Sequence, residues 1–106
     1  MNDDAAPDLE GLCAEVAAEL DEITSAADDG VMSYARGSAI FARVSGARLE
    51  VRLPTDIAEA ALRTPDTALD PDDRGWLHFT PTAAERDVTD RAAAWFEIAW
   101  RHAKDS

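Results

Sequence analysis

Aromatic rings interleaved with arginines are the residues of this chain with the most chemistry to offer, and that chemistry is binding. Tyr34, Phe41, Arg43, Arg48 and Arg52 lie in its middle third, and Trp76 with His78 repeats the alternate spacing further on. Guanidinium and aromatic groups on one face combine cation–π contact, directional hydrogen bonds and a large apolar area, as binding patches do. A surface of this kind suits a protein partner or a small anionic ligand.

No catalytic set accompanies these residues. Cys13 is the single cysteine, and residues 1–30 contain no Lys or Arg to stabilise its thiolate. Flanked by Leu9, Leu12 and Val16, it reads as a small core residue. His78 and His102 are the two histidines. Neither belongs to a metal-spaced pair, and no Ser-His-Asp arrangement assembles around them. His78 paired with a carboxylate is the remaining route to a small-molecule enzyme, without support from spacing. In the loop Asp70-Pro71-Asp72-Asp73-Arg74-Gly75, the first, third and sixth positions fit a calcium loop. Its fifth position is Arg74 and its twelfth is Pro81, so a solvated turn is the better reading. Five glycines scattered singly form no phosphate loop. The sequence is therefore expected to carry no catalytic residues, no metal and no cofactor.

The elements that would position the binding residues follow from periodicity. Leu9, Leu12, Cys13, Val16, Leu20 and Ile23 form one helical stripe opposite Glu10, Glu15, Glu19, Asp21 and Glu22. That helix is expected to stop across residues 25–30, at Gly30. Residues 31–35 read as a strand, and Arg36-Gly37 as a turn. Residues 38–44 and 47–53 read as a hairpin about Ser45-Gly46, pairing Val44 with Ala47, Ala42 with Leu49 and Ile40 with Val51. Those six face one way. Phe41, Arg43, Arg48, Glu50 and Arg52 face the other, where Tyr34 is also placed and Trp76 and His78 can join them. Either the first helix covers this second face, setting its carboxylates near the arginines, or the face is free to bind.

Thr55 or Asp56 would cap a helix to about Arg63, and residues 64–75 read as a loop. Residues 76–80 read as a strand. Thr82 and Glu85 have capping-box spacing and would open a last helix to about Ala103. The expected fold is α+β, a four-stranded antiparallel sheet with flanking helices in the order α-β-β-β-α-β-α. It forms one domain over residues 8–104, after a flexible start at residues 1–7.

Charge narrows the partners. The net charge is -12, with ten carboxylates and no cation in residues 1–30, and three carboxylates against five arginines in residues 31–64. Such a chain repels polyphosphate on average, so generic DNA is disfavoured. No apolar run is long enough for a membrane span, and the start lacks the positive charge of a secretory signal. A cytoplasmic monomer or homodimer without a membrane partner is expected. Composition fits a GC-rich bacterial genome or a salt-adapted cytoplasm.

The segment GSAIFARVSGARLEVRLP, then TDIAEAALRT, an acidic loop, Gly75-Trp76-Leu77-His78-Phe79 and an aromatic-rich last helix resemble the MmcQ/YjbR-like domains, especially their luciferase-domain-like relatives. The resemblance covers roughly residues 9–103. It implies a compact α+β fold, and several members of the group carry a DNA-binding label. The charge of this chain departs from that pattern.

Like-charge repulsion within residues 1–30 has a measurable consequence. Salt screens exposed charges beyond about 10 Å at about 0.1 M. The melting temperature is expected to rise from low to molar chloride. A steady fall would show that attractive Arg–carboxylate pairs dominate.

Overall fold

The computed structural model describes residues 8–73, 75–82 and 86–103. The expected flexible start at residues 1–7 and the expected capping glutamate Glu85 lie outside the described residues. The elements are α1 (Leu9–Ala18), β1 (Ile23–Asp28), β2 (Val31–Arg36), β3 (Ala39–Ser45) and β4 (Arg48–Arg52), followed by α2 (Thr55–Ala61), β5 (Thr67–Leu69), β6 (Trp76–Phe79) and α3 (Arg86–His102). The fold is α+β, with three helices and one antiparallel sheet of six strands among the described residues, in the order β1-β2-β3-β4-β6-β5. The expectation of four strands therefore falls short by β1 and β5.

The missing strand β1 comes from residues expected to end the first helix. The Asp8 side chain caps α1 by accepting from the Gly11 N–H at 3.0 Å, and Leu9 and Cys13 are buried. The helix nevertheless stops at Ala18. Beyond it, Thr24 and Ser25 are poor helix formers, and Asp29-Gly30 supplies a hairpin turn. Both turn residues have positive φ, 56° and 82°, as a type I′ turn requires. Thus Gly30 turns a hairpin between β1 and β2 where a helix stop was expected. Glu22, with φ 61°, redirects the chain into β1.

The β3–β4 hairpin forms about Gly46-Ala47, pairing Ser45 with Arg48, Val44 with Leu49 and Ala42 with Val51. This is two residues away from the expected register. An even shift preserves the faces, so Ala42, Val44, Leu49 and Val51 still point inward and are buried. The larger correction lies at the start of β3. Tyr34 pairs with Ala42 and Ala35 with Ile40, leaving Phe41 as an unpaired bulge residue. The extra residue reverses the alternation. Ile40, expected inward, is 46% exposed, whereas Phe41, expected outward, is 1% exposed.

The remaining corrections are local. β5 forms inside the expected loop because it pairs with β6, Thr67 with Phe79 and Leu69 with Leu77. Pro54 occupies the N-cap of α2 without a side-chain cap, in place of Thr55 or Asp56, and the helix ends at Ala61.

One core underlies the sheet. α1 and α3 pack together and against β3, with α3 also on β4, and Ala58 and Ala61 of α2 join the same buried cluster. Phe96 meets Tyr34 and Phe41 edge-on at 5.1 and 5.2 Å, and Phe79 meets Trp95 at 5.0 Å. The end of α3 is tied down separately: Trp100 Nε1 donates to the Asp21 carbonyl at 2.8 Å, and the Arg36 guanidinium lies 4.5 Å from the Trp100 ring while ion-pairing with Glu22.

The bulge makes neighbouring residues unequal. Phe41→Ala is expected to cost about 3–5 kcal/mol, the usual range for truncating a buried ring. Ile40→Ala should change stability by about 0.5 kcal/mol or less, as surface substitutions do. Urea midpoints at constant m would decide this, and similar losses at both positions would contradict the bulge.

Candidate functional site

The outer face of the sheet is built by alternation. On β4 and β6, Leu49, Val51, Leu77 and Phe79 go into the core, which sends Arg48, Glu50, Arg52, Trp76 and His78 to the opposite side. Cross-strand pairing sets Arg43 beside Glu50, Glu50 beside His78, and Arg52 beside Trp76. Among the described residues, the three helices contribute to the inner core, and the end of α3 borders a groove beside Arg52 and Trp76. The acidic first helix therefore does not cover the arginines.

Of the seven binding residues expected from the sequence, five meet here: Arg43, Arg48, Arg52, Trp76 and His78. Tyr34 and Phe41 do not. Their placement on the outer face is corrected by their burial under Phe96. Phe41 is turned in by the bulge, and Tyr34 pairs across from inward-facing Ala42. Burial, reinforced by the charges of Cys13 and Glu10, pushes the Tyr34 phenol above its ordinary value. Cys13 is buried, and desolvation pushes its thiol up to about 12, which suits a core residue rather than a nucleophile.

Glu50 organises the face. Its Oε1 lies 3.1 Å from Arg43 Nη2 and its Oε2 lies 3.4 Å from Arg48 Nη1. The Arg43 guanidinium also lies 4.2 Å from the centroid of the largely buried Trp76 ring. Arg48 Nη1 approaches His78 Nδ1 at 3.3 Å, and His78 Nε2 lies 3.1 Å from Asp70 Oδ2. An arginine can only donate, so Nδ1 accepts and the ring proton sits on Nε2, donating to Asp70. Both ring nitrogens of His78 are thereby engaged. A general base needs a free lone pair aimed at substrate, whereas this imidazole bridges β4, β6 and the loop after β5.

Glu50 and Asp70 were not among the residues selected from the sequence. Alternation places Glu50 on this face, but its part as a shared counter-ion depends on pairing. Asp70 belongs to the loop first tested against calcium. Its Oδ1 accepts from the N–H groups of Asp72 and Asp73 at 2.8 and 3.2 Å, and Asp73 Oδ1 accepts from the Gly75 N–H at 3.0 Å. These are turn-forming hydrogen bonds. The Asp72 N–H foremost, with His78 and the Asp73 N–H, holds the Asp70 carboxyl below its ordinary value of 3.8 against an opposing push from desolvation. The Arg52 side chain has neither an ion pair nor a hydrogen bond among the described residues.

The lowered Asp70 value links this network to pH. A depressed folded-state value adds stability above the unfolded value, and that stability is lost as pH falls through the folded one. The stability difference between the wild type and Asp70→Asn is therefore expected at neutral pH and should shrink on acidification. Urea midpoints of both proteins across the acid range would measure it. A difference independent of pH would show that the carboxylate charge is not used.

Compared with known proteins, the chain matches no family model, curated protein or solved structure.

Proposed function

We propose that this chain is a non-catalytic interaction module, similar to the MmcQ/YjbR-like domains, that engages a partner through the outer face of its sheet. The observation that carries this reading is the arrangement of Arg43, Trp76, Arg48, Glu50 and His78 on the side of the sheet opposite the buried Leu49, Val51, Leu77 and Phe79. Arg and Trp are enriched at the energetic centres of interfaces. Here they are already held in place, which reduces the ordering cost of association. No described helix is long and apolar enough to cross a membrane. The proposed setting is the bacterial cytoplasm, as monomer or homodimer.

The DNA-binding reading suggested by the resemblance is the weaker one. DNA affinity depends on cations free to neutralise phosphates. Arg43 and Arg48 both answer to Glu50, and the chain as a whole carries a charge of -12. Catalysis by His78 is weaker still, because Arg48 and Asp70 occupy its two nitrogens.

Partner capture from cell extract, repeated with Arg43→Ala/Arg48→Ala, tests the proposal. Recovery of the partner is expected to fall by about tenfold or more, since truncating a central arginine typically costs over about 1–2 kcal/mol in binding. Circular dichroism would confirm that the variant is folded. Equal recovery by both proteins would remove the outer face as the contact surface. Anisotropy with a mixed-sequence duplex at physiological ionic strength should show no binding. Submicromolar affinity lost in the same variant would favour DNA instead.

A further inference from the structure

A groove lies beside the bulge, where β3 begins, β4 ends and α3 finishes. Its volume is ≈ 690 Å³, and its walls include Ile40, Phe41, Arg52, Leu53, Trp76 and His102. This size lies within the range of about 300–1,000 Å³ typical of small-molecule sites. Ile40 is exposed along the groove although it is a large apolar side chain.

The charge of the lining is opposite to that of the chain. The protein carries 22 carboxylates against 10 Lys and Arg. Even so, among the described residues no Asp or Glu lines the groove, while Arg52 and His102 do. Arg36, Arg43, Arg48, Arg91 and Arg101 each hold a carboxylate. Arg52, like Arg63 and Arg86, holds none among the described residues, and of these three it is Arg52 that lines the groove. A guanidinium that no described carboxylate holds, beside an apolar concavity, suits an anion with an apolar body. The end of α3 opposes an anion with a partial charge of about half a unit, which the full guanidinium charge outweighs.

We propose that this groove binds a small organic acid. Arg52 would pair with its carboxylate and a His102 ring N–H would donate a hydrogen bond, while Ile40, Leu53 and Trp76 receive the apolar body. An apolar wall with a few placed polar groups is the usual make-up of such sites. The inference goes beyond partner binding on the sheet face, and the two fail separately. Partner capture is scored with Arg43 and Arg48, ligand binding with Arg52 and Ile40.

Titration with naphthoate, followed by backbone amide NMR shifts, tests the site. Saturable shifts centred on Ile40, Leu53 and His102 are expected. Neutral naphthamide and the Arg52→Gln variant should each bind about tenfold more weakly or worse, the usual effect of losing a charged hydrogen bond. Ile40→Glu places a carboxylate at an exposed position where the fold tolerates it, and should also weaken naphthoate. Acetate, lacking the apolar body, should give no saturation. The proposal is overturned if naphthamide matches naphthoate, if Arg52→Gln or Ile40→Glu leaves the affinity unchanged, if acetate saturates equally well, or if no saturable shift appears.

Discussion

Phe96 of α3 meets Tyr34 and Phe41 edge-on, and the rest of the molecule is arranged around that contact. Both partner rings must point to the helix side of the sheet. Tyr34 does so from a regular strand position, opposite Ala42. Phe41 does so because β3 carries one residue more than β2 at that point. A buried ring of this kind contributes roughly 1.5–3 kcal/mol through removal from water, and edge-on ring pairs add roughly 0.5–1.5 kcal/mol. Disturbing one ladder pair is a modest cost beside those gains. The same local event turns Ile40 out to solvent, where it lines the concavity beside Arg52 and Trp76. Core packing and one wall of the candidate ligand groove therefore share a local cause.

The electrostatic arrangement follows a different logic. The acidic N-terminal third has no basic residue of its own, and Glu22 is its ion-paired carboxylate among the described residues, reaching Arg36. On the outer face one carboxylate, Glu50, serves two arginines and lies near His78. Partly exposed pairs of this sort contribute little to stability, about 0–1 kcal/mol each. A cation–π contact such as Arg43 on Trp76 adds a comparable amount. The fold rests on the buried rings and aliphatic side chains beneath the sheet, and the charged ladder above is largely free of that duty.

Much of this was legible from residue order, and the failures have physical reasons. Alternation in residues 38–53 and 76–80 separates Leu49, Val51, Leu77 and Phe79 from Arg48, Glu50, Arg52, Trp76 and His78, because a half-buried strand must alternate. The face assignments of β4, β6 and residues 42–44 survive even though the hairpin register slips by two, since two is the side-chain period; those of Ile40 and Phe41 are reversed. β1 was hidden because Ile23 continues the apolar period of α1 in sequence, although the helix ends at Ala18 and Ile23 reaches the same core from a strand. The Asp29-Gly30 pair was the contrary signal, as that dipeptide favours hairpin turns. β5 is three residues long and exists through its pairing with β6, so no local pattern announces it. The bulge is the deepest case. Nothing in the order Ala39-Ile40-Phe41-Ala42 says which apolar residue faces inward; Phe96, distant in the chain, decides it.

The separation of duties between the two sides of the sheet bears directly on function. A surface whose side chains carry stability cannot reorganise for a partner without weakening the fold. Here the reverse holds: Arg43, Arg48, Glu50 and His78 are positioned by one another and by the strands below, while the core is closed without them. Asp70 fixes the far end of the ladder, and it is itself fixed by the backbone N–H groups of its own turn. Side chains held in this way have already given up much of the rotamer freedom that association would otherwise remove, roughly 0.5–1.5 kcal/mol for each immobilised side chain. An incoming group that exchanges with Glu50 for one of its arginines replaces one charge pair by another and leaves the core untouched. Arg52 needs no such exchange, because no described carboxylate holds it. The face thus presents two kinds of cation, those held by Glu50 and one beside the groove that no described carboxylate holds, and that difference would make the proposed anion capture and the proposed partner recognition separable on one small sheet.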